Sequence, residues 1–70
     1  MRLLILGGTR EARELASRLV EAGVDVTSSL AGRVARPRLP VGAVRVGGFG
    51  GVAGLRAALV DYDVVVDATH

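Results

Sequence analysis

The chain has no cysteine, no lysine and no tryptophan, and only one Phe, one Tyr and one His. Each absence excludes something. Without cysteine there are no disulfides, no thiolate nucleophile and no cysteine-based metal site, a usage that agrees with a reducing, cytoplasmic setting. No apolar run approaches the ~20 residues needed to span a bilayer. The short apolar block after Arg2 also lacks a signal peptide's longer apolar region, because Gly7 and a charged segment interrupt it. All nine basic residues are arginine, yet the formal net charge is only +2. Apart from three in RVARPR the arginines are spread along the chain, so no basic face marks a nucleic-acid footprint. What is there is a 70-residue chain, 50% apolar, rich in Val, Ala and Leu. That is one small domain with a lean core, whose small side chains suit tight packing of helix on sheet.

The apolar positions change period along the chain. Leu3 to Leu6 is a continuous apolar run, too short for a helix and followed by glycine, so it reads as a strand buried on both faces. From Arg10 to Ala22 the residues Ala12, Leu15, Ala16, Leu19 and Val20 recur at the spacing of one helical face. Thr9 is placed to cap that helix, Glu11 lies in its first turn and Gly23 is placed to end it. VDVTSSL (24–30) has the β-branched order of a second strand, and AGRVARPRLPVGA (31–43), with two prolines and two glycines, reads as a loop. Val44 to Val46 fits a third strand, followed by GGFGG. Val52, Leu55 and Leu59 mark a shorter second helix weakened by Gly54, and Val64 to Val66 a fourth strand. The order is half of a doubly wound α/β domain, a Rossmann-like half-domain. Its parallel strands are joined by helices or a long loop. The expected strand order is 3-2-1-4, which puts a topological switch point beside the first strand, where Gly7, Gly8 and Thr9 leave its carboxyl end.

Two adjacent glycines where a strand hands over to a helix let backbone approach an anion, which the free amides and partial positive charge of the helix start stabilise. Against the G-x-G-x-x-G fingerprint, GGTREA has Gly7 first, Thr9 second and Ala12 third. The threonine departs from the pattern, although its hydroxyl can cap the helix or donate to a phosphate. A tight turn that only satisfies geometry is the competing reading. Ser28, Ser29 and Arg33 follow in and after the second strand, with no acid after Asp25. That pattern favours a ribose 2′-phosphate, hence NADP over NAD; the alternative is that the serines finish an edge and Arg33 is solvated. Gly47, Gly48, Phe49, Gly50 and Gly51 make either a surface on which a ribose or flat ring lies close to backbone, or a flexible turn. Asp67, Ala68, Thr69 and His70 leave the fourth strand at the same edge. His70 titrates near neutrality and is a candidate acid/base, while Thr69 and His70 equally well shape a pocket. No nucleophile–base pair and no metal-ligand spacing accompanies them, so no metal site is expected.

Taken together, LILGGTREAREL, SLAGR, VRVGGFGGVAGLR and VVVDATH resemble, in order and across essentially the whole chain, the N-terminal half of the precorrin-6A reductases and their cobalt-precorrin-6A relatives. The resemblance implies a cytoplasmic oxidoreductase of cobalamin synthesis that uses NADPH to reduce a double bond of a tetrapyrrole macrocycle. It implies that Gly7, Gly8, Thr9 and Arg10 hold the pyrophosphate and that Ser28, Ser29 and Arg33 recognise the 2′-phosphate. Gly47 to Gly51, with Thr69 and His70, would line the nicotinamide and substrate cleft. Family members continue with Pro-Phe-Ala after Asp-Ala-Thr-His and carry a second α/β domain. Residues 1–70 are therefore expected to be the dinucleotide-binding part of a two-domain reductase, inactive alone. Because the cofactor supplies the hydride, no catalytic triad is expected, and His70 is named only as a candidate proton donor. Two further classes stay open: a non-catalytic NADP(H)-sensing module, and a structural α/β fragment that self-associates through its sheet edge.

Overall fold

Six elements alternate along the chain: β1 (Arg2–Leu6), α1 (Arg10–Glu21), β2 (Asp25–Leu30), β3 (Ala43–Val46), α2 (Gly51–Leu59) and β4 (Val64–Asp67). They are seen in a computed structural model that describes residues 1–30 and 39–69. The strands form one parallel sheet in the order β3-β2-β1-β4, as the alternation of apolar runs and crossovers predicts. β1 is central because it is apolar at four successive positions, and Leu4 and Ile5, on opposite faces, are both fully buried.

α1 forms where the sequence supplies both a stripe and a cap. Thr9 is extended and its hydroxyl oxygen accepts the Ala12 amide, satisfying one of the orphan donors of the first turn. Ala12 and Ala16 are the helix's buried residues and meet Leu3, Ile5 and Val26. Two alanines at the contact bring the helix close to the sheet, and Leu15, Leu19 and Val20 close the sides. Each large core side chain removed from water contributes about 1.5–3 kcal/mol. The helix ends where Ala22 and Gly23 donate to the carbonyls of Arg18 and Val20.

α2 is built differently. It opens on Gly50 in a left-handed conformation, has no side-chain cap and buries none of its residues fully. The chain crosses from β3 at one edge to β4 at the other, the opposite sense to the β1–β2 crossover, so the right-handed rule places α2 on the face away from α1. Leu55 accordingly shares a cleft with Leu6 and Ser29 on that face. No helix among the described residues is long and apolar enough to cross a membrane.

Candidate functional site at the carboxyl edge of the sheet

Three loops are stitched together where β1, β3 and β4 end. Gly7 donates to the Ser29 carbonyl (3.0 Å), Gly47 to Leu30 (2.8 Å) and Ala68 to Leu6 (2.8 Å), each extending the ladder one bond beyond its strand. Gly7 has φ +118°, and a Cβ there would lie 2.7 Å from the Ala68 carbonyl oxygen and 3.1 Å from the Thr69 nitrogen. Only glycine lets β1 turn this close to the exit of β4. Thr9 ties the same two segments: besides capping α1 it donates its hydroxyl to the Ala68 carbonyl (3.3 Å). The threonine hydroxyl is thus engaged within the protein, and what faces outward at the helix start is backbone. The amides of Gly8, Thr9, Arg10 and Glu11 find no acceptor among the described residues.

Arg13 helps to aim one of these amides. Its guanidinium donates to the Gly8 carbonyl (3.0 Å). In a trans peptide the N–H points opposite to the C=O, so the Thr9 amide is turned away from Arg13. Arg10 is well exposed and pairs with Glu14 one turn on (3.4 Å). The result is a short run of outward amides at a helix N-terminus, a geometry that accepts a phosphate group.

Beside that run lies a cleft of about 240 Å³ lined by Leu6, Gly7, Ser29, Gly47, Gly48, Phe49, Leu55 and Thr69. Two of these, Ser29 and Leu6, belong to one in-register row across the sheet, Arg45–Ser29–Leu6–Asp67, on the face away from α1, whose end residues Arg45 and Asp67 flank the cleft without lining it. The row is charged at both ends with opposite sign. At one end Arg45 lies 3.7 Å over the Phe49 ring and donates to Ser29 Oγ (3.5 Å) and to the Gly48 carbonyl (3.4 Å). At the other end Asp67 Oδ1 accepts the Thr69 hydroxyl (2.6 Å) and the Thr69 amide (3.1 Å). Those two hydrogen bonds, the hydroxyl's first, hold the Asp67 carboxyl below its usual range.

The residues that the sequence singles out are therefore distributed. Gly7, Ser29, Gly47, Gly48, Phe49 and Thr69 meet in the cleft, while Gly8, Thr9 and Arg10 form the adjoining helix start. Gly50 is the cap of α2 and does not line the cleft. Ser28 alternates away from Ser29 and lies on the α1 face beside Ile5 and Val26, buried, its hydroxyl without a partner among the described residues. Arg33 and His70 lie outside the described residues. Sequence reasoning missed Arg45, Arg13 and the apolar walls Leu6 and Leu55. Strand alternation in β3 was the one available signal for Arg45, since it places that residue opposite Ser29 once the register is known. No group of acids and histidines suited to a metal ion occurs among the described residues.

Residues 2–70 match the family model described as precorrin-6x reductase CbiJ/CobK. The chain belongs to the precorrin-6x reductase family. It is 60% identical over 72 residues to a precorrin-6A reductase of Rhodococcus erythropolis, covering 99% of this chain and 29% of that protein. A precorrin-6A reductase of Mycobacterium tuberculosis is 59% identical over 71 residues, with the same coverage. Among solved structures, one titled CobK precorrin-6A reductase superposes with a TM-score of 0.90 at 47% identity, over 100% of this chain and 29% of that one. This family member thus spans under a third of the length of the relatives it matches.

Proposed function

We propose that this chain is the cofactor-binding part of an NADPH-dependent precorrin-6A reductase of cobalamin synthesis, acting in the cytoplasm on a tetrapyrrole with the remainder of the reductase as its partner. The observation that carries the reading is the run of outward amides from Gly8 to Glu11 opening directly beside an apolar cleft. The amides and the helix dipole suit a diphosphate, and the cleft walls of Gly47, Gly48 and Phe49 suit a ribose or a flat ring. NADPH, when bound, supplies the hydride, so the protein's task is positioning and exclusion of water.

Each residue then has a defined job. Gly7 keeps β1 and β4 close enough for their loops to act as one rim. Thr9 fixes that rim to α1. Ser29 offers a hydroxyl at the cleft floor. Thr69, held by Asp67, orients the segment that leads to His70, the candidate proton donor. In the full polypeptide that carries this sequence, calorimetric titration should show NADPH bound at least tenfold more tightly than NADH. Reduction of the macrocycle should proceed with NADPH as donor. Equal affinity for the two nucleotides, or no binding of either, overturns the proposal.

A further inference from the structure

We propose that Arg45 is a specificity-determining residue that takes the adenosine 2′-phosphate at the β3 end of the cleft. The inference rests on the NADPH reading above and goes beyond it in naming a side chain outside the glycine-rich turn and outside the β2 exit.

Three observations support it. First, Arg45 is part-buried and all its partners are uncharged: the Ser29 hydroxyl, the Gly48 carbonyl and the Phe49 ring face. No carboxylate lies within ion-pair distance of it among the described residues. A guanidinium partly removed from water and lacking a counter-charge is stabilised by an incoming anion, and the fork geometry of arginine matches a phosphate. Second, its pose is set in advance. Stacking on Phe49 and two hydrogen bonds restrict a side chain that otherwise loses much rotamer freedom on binding. Arg2 offers a contrast, since it pairs with Asp25 at the opposite end of the sheet.

Third, the row Arg45–Ser29–Leu6–Asp67 gives the cleft a direction. Three strand spacings separate the two charged ends by roughly 14 Å. A ligand with an additional phosphate is attracted to the Arg45 end and repelled from the Asp67 end. The phosphate-bearing adenosine ribose therefore belongs near β2 and β3, and the uncharged part of the ligand near β4. Ser29 serves as a shared donor: its hydroxyl accepts from Arg45 and keeps its own hydrogen for a phosphate oxygen.

The test is a set of calorimetric titrations on the full polypeptide with NADPH, NADH, 2′,5′-ADP and 5′-AMP, for the unaltered protein and for Arg45→Gln and Arg45→Lys. Arg45→Gln should weaken NADPH and 2′,5′-ADP about tenfold or more, the scale of a lost charged hydrogen bond, and leave NADH and 5′-AMP within about twofold. Arg45→Lys should retain part of the preference, because it keeps the charge and loses the fork. If all four ligands weaken equally, Arg45 only shapes the loop and the inference is overturned. It is overturned as well if Arg45→Gln keeps the NADPH preference intact. An unaltered protein without that preference would instead refute the cofactor reading itself, so the two failures are distinguishable. Phe49→Leu supplies a second check: it removes the stack yet leaves the charge, and should reduce the preference by less than Arg45→Gln.

Discussion

Gly7 is where backbone freedom and the site coincide. Its positive φ disfavours any side chain, and the Ala68 carbonyl and Thr69 nitrogen stand where a Cβ would go. Gly7→Ala should destabilise the chain by about 1–3 kcal/mol and separate the β1 and β4 exits, which chemical denaturation would report. An unchanged midpoint would show that the two loops yield freely. Asp67 makes a second residue-scale prediction. Its carboxyl is held below the usual range by Thr69, so folding leaves it with a lower pKa than in the unfolded chain. The stabilisation is present above the ordinary carboxylate value of about 4 and is lost as pH falls through the folded value. The Thr69 amide resonance should titrate with a midpoint below that ordinary value, and Asp67 in Thr69→Ala should return toward it. A Thr69 midpoint at or above the ordinary value would remove the turn as an organiser of the segment before His70.

At the scale of elements the two helices are opposites, and the sequence shows why. α1 has a stripe, a threonine cap and an acid in its first turn, and it forms from Arg10 to Glu21, one residue short of the expected end. α2 has a glycine at its cap and another at position 54 inside it. Helix propensity alone predicts that Gly54→Ala would stabilise by up to about 1 kcal/mol. The Phe49 carbonyl, however, occupies the place of a Cβ at Gly54. Gly54→Ala should therefore lower the melting temperature and displace Phe49, disturbing the Arg45 stack; a raised melting temperature would show that propensity dominates. The strands, their order and the presence of glycine-rich turns around a cleft at the sheet's carboxyl edge were legible because apolar runs, caps and glycine turns are local signals. The Arg45–Ser29 pair was not. It depends on the β2–β3 register, which the local pattern of neither strand fixes. Ser28 and Ser29 show the same gap: adjacent in sequence, they fall on opposite faces, and only the sheet decides which one reaches the cleft.

Across the whole molecule the sheet is covered unevenly. Parallel strands are ordinarily shielded on both faces, and β1 is. β4 is not: among the described residues it pairs with β1 alone, and Val64 and Val65, which point to opposite faces, are 38% and 39% exposed, with Val60 at 82% just before them. An apolar edge strand with partly exposed faces favours association with another chain or with more of its own. The matched relatives are more than three times as long as this chain, with this segment making up 29% of each. The 70-residue chain by itself should then self-associate at high concentration, and Val65→Lys should reduce that in sedimentation velocity by adding charge to the edge strand. Placed in a polypeptide of the relatives' length, the same substitution should lower stability by about 1–3 kcal/mol, the penalty for a charge beneath added structure. A 70-residue chain that stays monomeric, together with a neutral Val65→Lys in the longer one, would show that β4 is a finished edge.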